Sequence, residues 1–273
     1  MTSAREFDVE ARGDRAWRLR TLIDLLAGQG RLSVAAAAHE LGVSEATVRR
    51  DFTSLANQQL VTRTHGGVVA TSVAYDLPVR YRSGGDSDTK ERIAALACDQ
   101  VLPGQVVGFN GGTTTSATAR RLAARTDLAE SAAKPALTVV TNALNIATEM
   151  VLRPYIRTVS LGGVARSQSY ELVGPMASSM LRELWLDHLI LGVDGFTAEA
   201  GASCFHEGEA SINALMVQQA TVVTVVAAAE KLGRRSFARI CEAGAVDTLI
   251  TDKSADEQVV ESLRANGLQV LIA

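Results

Sequence analysis

The sequence predicts an α/β protein in two parts: an N-terminal winged helix-turn-helix and a C-terminal domain built on a mostly parallel sheet. Three observations carry this prediction. Two short helical segments flank Gly42-Val43-Ser44; seven runs rich in Val, Ile and Leu alternate with amphipathic stretches downstream; and 273 residues exceed the usual size of one domain. The expected division is a reader domain at 14–70, a linker at 71–88 and a larger α/β domain at 89–273.

Composition narrows the class. Apolar residues make up 47% and charged residues 21%, values that fit a globular chain and exclude a disordered one. Met1 to Asp8 carries Arg5, Glu6 and Asp8 without an apolar run, so no secretory signal is expected. The apolar stretch Val222 to Ala229 is interrupted by Thr224 and is too short to span a bilayer. A cytoplasmic protein with no membrane association is therefore expected. Cys98, Cys204 and Cys241 lack C-x-x-C spacing, which argues for core thiols rather than a disulfide framework or zinc site. Cys204 and His206 lie close together, but no third soft ligand is near in sequence, so no metal is expected.

Asp14 to Ala27 places Trp17, Leu19, Leu22, Ile23, Leu25 and Leu26 at helical spacing, with Gly28 and Gly30 as a stop signal. Ser33 is placed to cap a second helix over Val34 to Leu41, ended by Gly42. Ser44 is placed to cap a third, reaching about Gln58. A glycine turn between two such helices lets the second of the pair lie in a DNA major groove. Its chemistry agrees: Glu45, Thr47, Arg49 and Arg50 offer polar and basic groups, while Val48, Phe52 and Leu55 recur on a face that packs inward.

Leu60 to Val69 reads as two strands around a turn, a wing with Arg63 and His65 near its tip. Basic groups there suit phosphate or the minor groove, leaving base readout to the helix. Ser33, Ser44, Glu45, Thr47, Arg49, Arg50, Arg63 and His65 are the candidate DNA-binding residues. From Arg15 to Ala70, seven arginines face four carboxylates, a balance of +3 in a chain of net charge −3. Periodicity alone also allows a three-helix scaffold or dimerisation module with solvated charges.

Beyond Lys90 the expected strands are Val106 to Phe109, Leu137 to Val140, Thr158 to Leu161, Leu189 to Val193, Val222 to Ala227, Thr248 to Ile250 and Val270 to Ile272. Open parallel sheets bind ligands beyond the carboxyl ends of their strands. Here those ends carry Asn110-Gly111-Gly112-Thr113-Thr114-Thr115, Thr141-Asn142, Gly162-Gly163 with Arg166, Asp194-Gly195, Glu230-Lys231 and Thr251-Asp252. The first loop suits an anion, since its glycines allow close backbone approach and the next helix aims free N–H groups outward. An ordinary strand-to-helix turn with threonine caps is the plain alternative. Neither a P-loop nor a G-x-G-x-x-G fingerprint is present. Arg166 and Lys231 are candidates to neutralise a phosphate or to remain surface charges; Asp194 before Gly195 either makes a plain turn or, with Glu209, suits sugar hydroxyls. Thr251-Asp252 is assigned mainly to capping the final helix, and His188 to a structural role.

Arg18, Leu22, Leu26 and then Ser44-Glu45-Ala46-Thr47-Val48-Arg49-Arg50-Asp51-Phe52 closely resemble the signature of the DeoR (deoxyribose-operon repressor) family, and Arg63-Thr64-His65-Gly66-Gly67 strengthens the likeness. Lys90-Glu91-Arg92-Ile93-Ala94, Gly112-Thr113-Thr114, Thr141-Asn142, Leu161-Gly162-Gly163, Val173-Gly174-Pro175 and Gly192-Val193-Asp194-Gly195-Phe196 extend it over almost the whole chain. The resemblance implies a sensor domain similar in fold to ribose-phosphate isomerases and CoA transferases. It also implies a phosphorylated sugar or related metabolite as effector. One departure stands out: where the family typically has Asp-x-Ser-Lys, this chain has Ala228-Ala229-Glu230-Lys231.

The combined expectation is a non-enzymatic, metabolite-controlled regulator, a repressor of a sugar or related operon. It would bind double-stranded operator DNA as a homodimer or homotetramer, without cofactor. Its expected effector-binding residues are Gly111, Gly112, Thr113, Thr114, Thr115, Thr141, Asn142, Gly162, Gly163, Arg166, Asp194, Gly195, Glu209 and Lys231. The alternative is a sugar-phosphate isomerase-like enzyme, with Asp194 or Glu209 as general base and Lys231 as electrostatic stabiliser.

Overall fold

Leu19, Leu22 and Leu26 recur on one face of the first helix, α1 (Arg15–Gln29), and are buried together, which is why this segment is helical and where it docks. The computed structural model describes residues 15–29, 31–57, 61–64, 66–70, 87–131 and 135–273. His65 and residues 71–86 of the expected linker lie outside them. The chain divides into two compact units, Met1–Gly84 and Gly85–Ala273.

In the first unit α1 is followed by β1 (Arg31–Ser33), α2 (Val34–Leu41), α3 (Glu45–Asn57), β2 (Val61–Thr64) and β3 (Gly67–Ala70). The Ser33 hydroxyl accepts the Ala36 N–H at 3.1 Å and opens α2. Gly42, at φ 64°, closes it in the left-handed conformation that a side chain would penalise. The Ser44 hydroxyl then accepts the Thr47 N–H at 3.2 Å and opens α3. Val48, Phe52 and Leu55 of α3 are buried with the α1 leucines. The hairpin β2–β3 is joined by β1 into a three-stranded antiparallel sheet of order β1-β3-β2. Strand β1 has no alternation long enough to be read; it forms because Leu32 is buried in the same core and pairs with Val68. Asp51 anchors this small core by charge: Arg18 Nε donates to its Oδ2 at 2.9 Å, the more exposed Arg15 lies 3.9 Å from its Oδ1, and the Asp51 side chain is 3% exposed.

The second unit begins α4 (Ser87–Asp99), β4 (Val106–Phe109), α5 (Thr113–Ala123), α6 (Thr126–Glu130), β5 (Leu137–Thr141), α7 (Leu144–Val151), β6 (Ile156–Ser160), β7 (Val164–Ala165) and β8 (Leu172–Val173). It continues α8 (Pro175–Leu181), β9 (Leu186–Gly192), β10 (Gly195–Thr197), β11 (Gly201–Cys204), α9 (Glu207–Gln219), β12 (Ala220–Val226), β13 (Ala238–Cys241), β14 (Thr248–Thr251), α10 (Glu257–Ala265) and β15 (Gln269–Ile272). All seven runs expected as strands fall in one sheet, order β15-β14-β12-β9-β4-β5-β6, and every neighbouring pair in it is parallel.

The near-continuous apolar strands follow from burial on both faces. Val107, Phe109, Leu137, Val139 and Ile190 pack with Ile93 of α4, Leu122 of α5 and Met150 of α7. Their alternates Val140, Leu189, Leu191, Val223 and Val225 pack on the other side with Leu181 of α8, Met216 of α9 and Leu263 of α10. His188 in β9 is buried and shares a 2.8 Å hydrogen bond with the Thr224 hydroxyl, a structural role; burial pushes its imidazole below the usual histidine range.

From β4 the chain builds β5 and β6 to one side, then crosses back to lay β9, β12, β14 and β15 on the other. The reversal falls between β4 and β9, where loops leave in opposite directions and open a crevice. Asn110, at the end of β4, bridges that point: its Nδ2 donates to the Gly192 carbonyl at 3.0 Å and its Oδ1 accepts the Gly192 N–H at 2.7 Å.

Two substitutions test these contacts. Asp51→Ala removes the buried carboxylate that Arg18 holds and is expected to destabilise the first unit by about 3 kcal/mol. Urea unfolding followed by Trp17 fluorescence in a Trp185→Phe background checks it. Asn110→Ala removes both hydrogen bonds to the part-buried Gly192 backbone and is expected to cost about 2 kcal/mol in the second unit, read as a lower urea midpoint by circular dichroism.

Candidate functional site

Each unit carries one polar constellation. In the first, the outward side of α3 presents Glu45, Arg49 and Arg50, all exposed, with Thr47 half-buried beside them. Arg49 Nη2 donates to Glu45 Oε2 at 2.9 Å one turn away, with both side chains more than half exposed. A helical surface pair of this kind contributes only about 0.3–0.5 kcal/mol, so it yields readily to a stronger anionic partner. Arg50 Nε donates to the Ala46 carbonyl at 3.3 Å. On the hairpin, exposed Arg63 donates to the Thr53 hydroxyl at 3.1 Å, and that hydroxyl donates to the Arg49 carbonyl at 2.8 Å. The structure thus links the wing arginine to the helix that carries Arg49 and Arg50. Ser33 and Ser44 are exposed, but their hydroxyls are engaged as caps of α2 and α3.

In the second unit the loop after β4 passes through Gly111 and Gly112 into α5. Gly112 is the N-cap at φ 131°, with no side chain capping the helix, so the first turn's N–H groups are met by no protein side chain there. The three threonines divide by role. Thr115 is fully buried and donates to the Gly112 carbonyl at 3.0 Å, whereas Thr113 and Thr114 are half-exposed at the helix start. Ser116 also donates to the Gly112 carbonyl, at 2.6 Å, and accepts from Asn145 Nδ2 at 2.7 Å, fastening α5 to α7.

The loop after β5 lies beside it. Asn142 is buried and donates to Glu171 Oε2 at 3.0 Å, while the Thr141 hydroxyl accepts the Ala143 N–H at 3.0 Å. Gly162 and Gly163 lead from β6 into the β7–β8 hairpin, whose turn carries Arg166 and places Glu171 against the first two loops. Arg166 Nε donates to Glu209 Oε1 at 2.8 Å, with side chains 14% and 9% exposed. That guanidinium is therefore largely withdrawn from solvent and held by a carboxylate. Asp194, after β9, accepts the Phe205 N–H at 3.2 Å.

The hairpin brings together Gly111, Asn142, Glu171, Arg166 and Glu209, and the negative charges of Glu209 and Asp194 act on Glu171. Burial above all, then the Glu209 charge, raises the Glu171 carboxyl to about 8, against the pull of the Asn142 amide and the Gly111 N–H, both of which favour its ionised form. Sequence reasoning missed Glu171, because Ser169-Tyr170-Glu171 sits in no periodic run and at no main-sheet strand end.

Other residues singled out in the sequence sit on other elements. Lys231 lies in a 3-10 turn after β12 and pairs with Glu230 at 3.7 Å. Gly195 opens β10, in a separate small sheet of order β10-β11-β13. Asp252 caps turns rather than the last helix: it accepts from Ala229 N at 2.8 Å and from Ser254 N at 3.1 Å, whereas Asp256 caps α10. His206 Nδ1 accepts the Gly208 N–H at 3.0 Å as N-cap of α9, and the Cys204 thiol donates to the His206 carbonyl at 3.4 Å. Among the described residues no cluster of three or more His, Cys, Asp or Glu could hold a metal ion, and no helix is long and apolar enough to cross a membrane.

Residues 86–253 match the profile described as the DeoR C terminal sensor domain, and residues 18–73 that of the DeoR-like helix-turn-helix domain. The HTH-type transcriptional regulator GlpR of Haloferax volcanii is 34% identical over 94% of this chain and 97% of its own length. The glycerol-3-phosphate regulon repressor of Escherichia coli is 27% identical over 91% and 95%. Among solved structures, ribose 5-phosphate isomerase A from Methanocaldococcus jannaschii aligns over 54% of this chain and 55% of its own, with TM-score 0.40 and 17% identity. With both units matched in sequence order and relatives aligned almost end to end, the chain belongs to the DeoR family.

Proposed function

We propose that this chain is a DNA-binding transcriptional repressor of a sugar or related metabolic operon, released from its operator by a phosphorylated metabolite. The observation that carries the reading is the exposed Arg49 and Arg50 on a capped helix that follows a glycine turn, inside a unit that matches the DeoR-like helix-turn-helix. Helix α3 enters the major groove with Glu45, Thr47, Arg49 and Arg50 toward base edges, and Arg63 of the wing takes a phosphate. Two copies in a homodimer or homotetramer supply two such helices to operator half-sites.

The effector's anionic group sits on the Gly111 to Thr115 turn, received by the N-terminus of α5 and the Thr113 and Thr114 hydroxyls. The phosphorylated character is supported by that turn and by a relative named for the glycerol-3-phosphate regulon. Asp194 and Glu209, with Asn142, offer acceptors and an amide to the hydroxyl-bearing remainder. Effector binding shifts the population of DNA-competent molecules; a coupling of about 1–3 kcal/mol changes operator affinity roughly five- to 150-fold. The isomerase reading is weaker, since Glu209 is engaged by Arg166 and Lys231 pairs with its own neighbour.

Arg49→Ala and Arg50→Ala are each expected to weaken binding by about 1–3 kcal/mol on a fragment selected by the wild-type chain, measured by gel shift. Wild-type affinity in both variants would remove α3 as the reading element. Thr114→Ala is expected to leave effector-free DNA binding intact and to raise about tenfold the concentration of sugar phosphate needed for release. A dose response identical to wild type would dismiss the turn as the cradle.

A further inference from the structure

We propose that Glu171 is a positioning residue that sets both the geometry and the charge of the anion-binding turn, and that it takes up a proton when an anion binds there. The inference rests on the reading of the Gly111 to Thr115 turn given above.

Glu171 lies beneath that turn. Its carboxyl lies against the Gly111 backbone and accepts from Asn142 Nδ2 at 3.0 Å, so one side chain touches the loops after both β4 and β5. The fit at Gly111 is tight: a Cβ there would sit 2.5 Å from Glu171 Oε1 and 2.6 Å from its Cγ, so only glycine lets the backbone rest on the carboxyl. The backbone of Glu171 is fixed as well. Its carbonyl accepts the Arg166 N–H at 2.9 Å, its N–H donates to Ser169 Oγ at 3.3 Å, and it bridges to Ala143 at the start of α7.

The charges facing this carboxyl come from three elements. Glu209 on α9 is held by Arg166 of the β7–β8 turn, Asp194 follows β9, and the Cys204 thiol of β11 feels the same three carboxylates. An ionised Glu171 would add a negative charge directly under an arriving anion, whereas a protonated one adds none. Asn142 Nδ2 donates to Glu171 Oε2 at 3.0 Å and to the Leu172 carbonyl at 3.4 Å, an arrangement that serves the carbonyl oxygen of a neutral carboxyl as well as a carboxylate.

The sign follows. The Glu171 carboxyl of the free protein, raised to about 8, is largely neutral below that pH and ionised above it. A bound dianion favours the neutral form and raises it further. Anion affinity is therefore full below about pH 8 and falls as pH rises beyond it, and the proton taken up on binding is most visible between the free and bound values.

The test is calorimetric titration of the full chain with sulfate, which stays a dianion throughout, at about pH 7 and about pH 9, in buffers of different ionisation enthalpy. The expected result for wild type is binding about tenfold weaker at the higher pH, with more than about half a proton taken up per sulfate there. Glu171→Gln, which keeps the shape and an acceptor for Gly111, is expected to bind within about twofold at both pH values without proton uptake. Wild-type binding that is independent of pH and takes up no proton overturns the proposal without any variant. A Glu171→Gln protein that keeps the wild-type pH slope and proton count also overturns it and leaves Glu171 a merely structural residue. No sulfate binding by wild type at either pH, or binding that Thr114→Ala leaves unchanged, overturns instead the reading of the turn, and the proposal with it.

Discussion

The paired hydrogen bonds between Asn110 and Gly192 are the interaction on which the loop-bearing end of the main sheet depends. A parallel sheet that grows outward in both directions from β4 must open where its order reverses, because the loops on either side leave for opposite faces. One side-chain amide closes the backbone there, serving as donor and acceptor to the same peptide neighbour. With β4 and β9 held, Gly111 and Gly112 are delivered to the base of the crevice on one strand and Asp194 on the next. The positions of α5 and its open first turn follow from that junction.

Around this fixed point, charge is distributed asymmetrically. The charges of Glu209 and Asp194 both act on the buried Glu171, while Arg166 is held by Glu209. Burial pushes Glu171 up, toward the neutral form at neutral pH, which is what lets these acidic groups coexist with the proposed anion-binding turn. In the proposed cradle the electropositive feature is the set of backbone N–H groups at the start of α5.

The first unit works on a different scale. Its core is small, and the Arg18–Asp51 pair fixes α1 to α3 with an interaction that costs far more to break than any surface pair on the unit. Its exposed charges are held loosely: Arg49 by Glu45 and Arg63 by Thr53. Strongly held groups set the orientation of α3, and weakly held ones remain available to a polyanion.

Much of this was legible in the sequence, for a physical reason. Caps, left-handed glycines and apolar periodicity are local, so Ser33, Gly42, Ser44 and the seven strands of the main sheet could be placed from neighbours within a few residues. The strand ends were legible too, because a parallel sheet puts its polar loops on one edge. What tertiary structure alone decided is which polar residues meet. Glu171 lies in a short hairpin with no periodicity, and only the folding of that hairpin onto β5 sets its carboxyl under Gly111, some sixty residues earlier in the chain. Arg166 and Lys231 looked alike as sequence positions, yet the first is buried against Glu209 on a distant helix and the second pairs with its own neighbour Glu230. The sequence by itself determined the elements and the edge at which chemistry gathers, since those depend on local conformation and burial pattern. Long-range packing decided the partners, because a hydrogen bond or a shifted carboxyl depends on distances that spacing along the chain does not encode.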